Sequence, residues 1–245
     1  MRLATFNLES LDLPPRAAVS LETRAAVLRP ALDRLAADIL CLQEVNAQHV
    51  AGTKARHLAA LDLLLAGTPY AHFHRAATSG PSGGAADVHN LVTLSRYPIV
   101  EHREVRLALV AAPQHAMLSG TEHASRTVGF ERPLLVTRIA LPEGAAMVVI
   151  NLHLRAPLAS NIPGEKTGPF SWGSMRGWAE GFYLSALKRN AQALELRLLL
   201  DEILATDRNA LVAAAGDYNA DDHETPLRIV IGSHEDTGNS ELAPQ

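Results

Sequence analysis

The chain has 245 residues and balances 22 basic against 26 acidic side chains, for a net charge of −4. That length supports one large domain with an ample core. The charge argues weakly against a duplex-DNA-coating protein, which normally shows a basic surface, but leaves a nuclease open, since a local metal site can offset phosphate charge. The lone cysteine, Cys41, excludes an internal disulfide.

Residues 2–7 read as a short strand ending at Asn7, and 8–19 as a loop holding Pro14 and Pro15. Ser20 is placed to cap a helix to about Ala37, with Leu21, Ala25, Leu28, Leu32 and Leu35 at helical spacing. Pro30 predicts a kink or restart inside it. Asp38 to Glu44 is too short for a helix and reads as a strand buried on both faces. Gly52 to Gly67 reads as a second helix, Tyr70 to Arg75 as a strand, and Thr78 to Ala86 as a glycine-rich loop. A further strand, Asn90 to Ser95, turns through Arg96-Tyr97-Pro98-Ile99 into 100–110.

After an irregular stretch, Leu134–Leu141 and Ala146–Leu154 form a hairpin around Pro142-Glu143-Gly144. Arg155 to Phe182 reads as one long irregular segment with both tryptophans, Trp172 and Trp178, and is a candidate lid. Tyr183 to Ala205 reads as the strongest helix. The apolar run Leu211 to Ala215 then stops at Gly216-Asp217-Tyr218-Asn219. No internal repeat or linker is evident, so the chain reads as one domain over 1–245, an α/β sandwich mixing hairpins with βαβ passages.

The chemistry-bearing residues fall at the carboxyl ends of four strands: Asn7, Glu44, His153, and Asp217 with Asn219. Singly, each has a plain structural reading. Together they suit a hard cation such as Mg²⁺, which keeps several waters and takes one or two carboxylates. A histidine beside them is placed to hold a phosphate oxygen. Zinc does not fit, since His-Glu-x-x-His and cysteine pairs are absent. The serine nucleophile elbow and the phosphate-binding P-loop are also absent. His72, His74, His89, His115 and His123 read as scattered. The N-terminus lacks a signal-peptide core, and no apolar run reaches the roughly 20 residues a membrane span needs. A cytoplasmic protein is the expectation.

Six segments, in order, carry a resemblance: ATFNLES at 4–10, DILCLQEV at 38–45, NLVTLSRYPI at 90–99, VVINLHL at 148–154, KRNAQALEL at 188–196 and AAGDYNADD at 214–222. The chain resembles the endonuclease/exonuclease/phosphatase superfamily. The resemblance implies a four-layer sandwich, with two central, mainly antiparallel sheets packed face to face and helices outside. It also implies Mg²⁺-assisted hydrolysis of a phosphate ester, with Mn²⁺ as a substitute. Glu44 matches the metal-binding glutamate, and Asn7 the asparagine that supports metal and phosphate. His153 matches the histidine that contacts the scissile phosphate. Asp217 matches the aspartate that orients the water, and Asn219 the asparagine that holds a phosphate oxygen. Arg189 reads as structural.

The sequence departs from the family at its C-terminus. It holds no Ser-Asp-His motif, and Ser233-His234-Glu235-Asp236 has similar letters in another order. The expectation is therefore a domain without its last strands, and the alternative is a catalytically impaired phosphate-binding module or an inactive fragment of such an enzyme. The implied partner is a phosphate-ester substrate: nucleic acid, phospholipid headgroup or small phosphodiester. No obligate protein partner is evident.

Overall fold

The computed structural model describes residues 1–13, 19–49, 52, 54–81, 83–121 and 124–232. The chain divides into two compact units. The first comprises Met1–Val105, Arg132–His153 and Asp207–Asp217; the second comprises Arg106–Glu131, Leu154–Thr206 and Tyr218–Gln245.

Two four-stranded sheets build the first unit. One contains β1 (Leu3–Leu11), β2 (Ile39–Val45), β3 (His74–Ala77) and β4 (Asn90–Ser95), in the order β1-β2-β4-β3. The other contains β5 (Ile99–Val105), β6 (Leu134–Ala140), β7 (Ala146–His153) and β8 (Leu211–Asp217), in the order β8-β7-β6-β5. Each sheet has one parallel pair, β1 with β2 and β7 with β8; its other pairs are antiparallel. Parallel neighbours end at the same edge, so each sheet presents two carboxyl termini side by side.

The run Ile39-Leu40-Cys41-Leu42 is apolar throughout because its two faces meet two different layers. Ile39 and Cys41 pack against Ile139, Met147 and Val149 of the second sheet. Leu40 and Leu42 pack against helix α1 (Leu21–Leu35) and helix α2 (Ala59–Leu65). A polar layer closes the inter-sheet core. Gln43 donates to Asn151 Oδ1 at 2.8 Å, and Asn151 donates to the carbonyls of Leu42 and Val92. Both side chains are buried, so these bonds tie the two sheets in register.

Several local expectations change. Ser20 caps α1 as expected, its hydroxyl accepting from the Thr23 amide. The helix runs through Pro30 as one element, its buried residues Leu21, Ala25 and Leu32 holding both halves to the sheet. The second helix shrinks to α2, because Arg56–His57 pairs with Gln48–His49. Pro69–His72 is a 3₁₀ turn ahead of β3.

The second unit is built on α3 (Met175–Thr206) and α4 (Thr225–Ile231). Its core gathers Met117, Val128, Ile162 and Leu184, with Trp172 and Leu187 against them. Helix α3 begins eight residues earlier than expected, at Met175 rather than Tyr183. Gly177 and Gly181 masked that start, since glycine normally signals a break. Here glycine serves close packing. A Cβ at Gly181 would lie 2.4 Å from the Ser160 carbonyl, and one at Gly177 would lie 2.5 Å from the Glu165 carboxylate. Residues 175–182 are therefore helix, not loop.

Candidate active site

Alternation along the strands explains three of the four residues that meet at the lip of the first unit. The inward-facing row of β1 runs through Leu3 and Thr5 to Asn7, that of β7 through Met147, Val149 and Asn151 to His153, and that of β8 through Ala213 and Ala215 to Asp217. Glu44 follows the inward Gln43, so strict alternation would turn it to the helices. Its φ of 58° breaks the alternation, and the β1–β2 register shifts between Asn7 and Leu11 at the same place. This distortion brings the Glu44 carboxylate to the lip.

Asn7 bridges the two carboxylates. Its Nδ2 donates to Glu44 Oε1 at 3.1 Å and to Asp217 Oδ2 at 2.9 Å. Its own Oδ1 accepts from the Glu9 amide at 2.8 Å. The second oxygen of Glu44 accepts from the amide and hydroxyl of Ser10 at 3.0 and 3.2 Å. Burial by itself would raise the Glu44 pKa. The Asn7 hydrogen bond, the nearby imidazoles of His153 and His89, and Ser10 outweigh it, holding the carboxyl below its ordinary range.

His153 Nε2 lies 3.6 Å from Asp217 Oδ2 and 3.8 Å from Glu44 Oε1. The ring is buried, and its Nδ1 has no hydrogen-bond partner among the described residues. Burial, reinforced by Arg132 and only partly opposed by the carboxylates of Asp217 and Glu44, pushes its pKa down to about 4. The imidazole is therefore neutral at neutral pH.

Gly216 makes the β8 edge possible. A Cβ there would lie 2.0 Å from the Leu152 carbonyl, so only glycine lets β8 pair closely with β7 up to the last pair, His153 with Asp217.

Against the expectation of a scattered residue, His89 Nδ1 lies 3.9 Å from Glu44 Oε2. The available signal was pairing. β4 runs antiparallel to β2 with Asn90 opposite Val45, so the residue before β4 sits beside the end of β2. Ser10 was also missed, because the β1 strand was expected to end at Asn7.

The other candidates lie in the second unit. Asn219, at φ 48°, donates to the Leu154 carbonyl at 3.0 Å, and its own carbonyl accepts from Arg189 at 2.9 Å. Arg189 is buried on α3. Nearby on α3, Gln192 accepts from the Arg155 amide, and Glu195 caps the amides of Leu107, Ala108 and Leu109. Trp172 sits in the core of that unit beneath Lys166. Trp178 stacks on Phe182 along α3, with ring centroids 5.3 Å apart. His115 pairs with Glu180 at 2.8 Å. The segment 233–236 and His123 lie outside the described residues.

Among the described residues, no three His, Cys, Asp or Glu side chains form a ready cage for a metal. The oxygens of Glu44 and Asp217, both bonded to one carboxamide, fit a hard cation that takes one or two carboxylates and fills its remaining positions from water and substrate.

The family model described as "Endonuclease/Exonuclease/phosphatase family" matches residues 4–231. Comparison with curated proteins found no match. Among solved structures, the human Nocturnin catalytic domain with bound sulfate is similar at a TM-score of 0.53 and 17% identity, over 94% of this chain and 67% of that one. A mannosyl-6-phosphatase from Bacteroides thetaiotaomicron is similar at 0.54 and 14% identity, over 93% and 68%. TDP2 of D. rerio complexed with single-strand DNA product is similar at 0.50 and 16% identity, over 93% and 63%. The chain thus spans between 63% and 68% of the length of these structures.

Proposed function

Because this chain belongs to the endonuclease/exonuclease/phosphatase family, we propose that it hydrolyses a phosphodiester or phosphomonoester by in-line attack of water on phosphorus. The observation that carries this reading is the meeting of Asn7, Glu44, His153 and Asp217 at the ends of two parallel strand pairs. The family match runs through both compact units, which supports reading them as parts of one domain.

Glu44 would hold Mg²⁺, or Mn²⁺ in its place, with Asp217 as the second nearby carboxylate. The metal's contribution when bound is to neutralise charge on the phosphate oxygens. Asn7 holds the two carboxylates in register. Asp217 orients the attacking water and takes its proton. His153, neutral and with Nε2 turned to the carboxylates, presents an N–H to a phosphate oxygen as negative charge builds there. For Asn219 a phosphate-oxygen contact rests on the family motif Gly216-Asp217-Tyr218-Asn219 alone.

A second reading is a phosphate-binding module without turnover. Hydrolysis of bis(p-nitrophenyl) phosphate and of a plasmid, in Mg²⁺ and in EDTA, separates the two. Mg²⁺-dependent turnover abolished by Glu44→Ala and His153→Ala supports the enzyme. Folded wild type with no turnover supports the module. The substrate classes considered are nucleic acid, a phospholipid headgroup and a small phosphodiester. A cytoplasmic setting is likewise proposed; among the described residues no helix is long and apolar enough to cross a membrane.

A further inference from the structure

We propose that Arg24 is a positioning residue of this site, holding from helix α1 the β1 bend that aims Asn7 and Glu44. The proposal rests on the metal-assisted phosphate-ester reading above. It adds a helix residue to a site otherwise built from strand ends.

The bend is strained and off the ladder. In the β1–β2 pairing Asn7 faces Gln43 and Leu11 faces Val45, so Leu8, Glu9 and Ser10 together stand opposite Glu44. The extra length bulges, with Glu9 at φ 48° and Ser10 at φ 55°. Both lie in the left-handed region, which glycine takes freely and other residues resist. Carbonyls taken off the ladder by such a bulge need other partners.

Arg24 supplies them. Its Nη2 donates to the Leu8 carbonyl and, at 3.1 Å, to that of Glu9, and its Nη1 reaches the Ser10 carbonyl at 3.4 Å. One planar fork thus spans all three bulged residues, a geometry that a lysine ammonium does not match. The fork has a fixed base. Arg24 lies one turn into α1, its amide donating to the Ser20 carbonyl at 3.0 Å. The neighbouring Leu21 and Ala25 are buried in the same core as Leu8 and Leu11.

The far edges of the same peptides serve the site. A trans peptide is planar and points its carbonyl and its amide in opposite directions. The peptide joining Leu8 to Glu9 offers its carbonyl to Arg24 and its amide to Asn7 Oδ1 at 2.8 Å. The peptide joining Glu9 to Ser10 offers its carbonyl to Arg24 and its amide to Glu44 Oε2 at 3.0 Å. Arg24 therefore fixes two peptide planes, one orienting the asparagine that bridges the carboxylates and the other the glutamate assigned to the metal. Its charge works the other way. A nearby cation repels Mg²⁺, so loss of the charge alone would tighten Mg²⁺ binding. Weaker binding once Arg24 is removed is thus the mark of positioning.

The test titrates Mg²⁺ alone into wild type, Arg24→Met and Arg24→Lys by calorimetry, each first shown folded in EDTA by circular dichroism. Affinity in Arg24→Met should fall about tenfold or more, with Arg24→Lys between it and wild type. The same Arg24→Met change is then made in a Glu9→Gly background. Glycine takes the bend without help, so there the loss should shrink to about threefold or less. Unchanged or tighter Mg²⁺ binding in Arg24→Met overturns the proposal. An equal loss in both backgrounds also overturns it, because Arg24 would then act by a route other than the bend. If Arg24→Met does not fold, Arg24→Lys decides, and wild-type affinity there overturns the proposal. If wild type binds Mg²⁺ and Arg24→Met matches it, the metal-assisted reading stands without Arg24. If wild type binds no Mg²⁺, both fall.

Discussion

The two lips of the first unit reach the same place by opposite means. At the end of β1 and β2 the backbone is distorted, with Glu9, Ser10 and Glu44 all at positive φ and the register shifted. Yet the Glu44 carboxylate there is well served with hydrogen-bond donors, from Asn7 and Ser10. At the end of β7 and β8 the pairing stays regular to the last pair, but His153 is buried with its Nδ1 unpartnered among the described residues. The first lip spends backbone strain to fix a charge, and the second keeps a regular backbone to bury a neutral base. Glu44, the less exposed of the two carboxylates, needs more donors than a regular strand end supplies, whereas Asp217 on the regular lip stays closer to water. A neutral imidazole needs only a tight wall.

The comparison breaks most visibly in turnover. Glu44→Ala and Asp217→Ala each remove one carboxylate of the pair bridged by Asn7. On the proposed reading each lowers kcat/KM by about a thousandfold or more, as removal of one member of a coupled set does. Steady-state rates on a p-nitrophenyl phosphate diester check this, and an effect under tenfold would dissolve the assigned roles.

Next comes Gly216→Ala. The new methyl would collide with the Leu152 carbonyl, so β8 must move off β7, costing roughly 3 kcal/mol or more. Urea unfolding measures it. A loss under about 1 kcal/mol would mean that the regular lip tolerates displacement as the bulged one does.

A third prediction concerns pH. The His153 pKa, about 4 in the fold against about 6.5 unfolded, means that the unfolded chain binds the extra proton first. Stability from His153 is therefore complete above about pH 6.5 and is lost as pH falls towards 4, by an amount on the order of 3 kcal/mol. Unfolding free energies of wild type and His153→Gln in EDTA, between pH 7 and pH 4, should converge as pH falls. Parallel curves would show that burial of the ring is not what sets its proton affinity.

The smallest expected effect is Ser10→Ala, which removes one of the two bonds to Glu44 Oε2 and leaves the amide bond in place. A loss of about 0.5–1 kcal/mol follows. A much larger loss would show that the hydroxyl, not the bent backbone, holds the carboxylate.

Much of the candidate site is legible in the sequence. His153 and Asp217 each end a strand, and Asn7 lies within one, whose alternation points them inward, and the family motif marked Glu44. What escaped reading has specific causes. Ser10 was hidden because β1 continues past Asn7 through two residues at positive φ, a course no period-two pattern signals. His89 looked scattered because its partner is 45 residues away along the chain and adjacent only through the β2–β4 pairing. The early turns of α3 were lost to Gly177 and Gly181, whose packing against Ser160 and Glu165 is long-range.

The sequence by itself determined the family, the apolar two-faced strand Asp38 to Glu44, the Ser20 cap, and the polar residue types at four strand ends. Each depends on local periodicity or on short motifs, which neighbouring residues carry complete. Tertiary structure decided that Asn7 bridges two carboxylates 173 positions apart in the chain, that Glu44 turns against its strand to meet them, and that His153 is kept neutral. These depend on which backbones lie side by side and on how much water their packing removes, and neither property belongs to any stretch of chain taken alone.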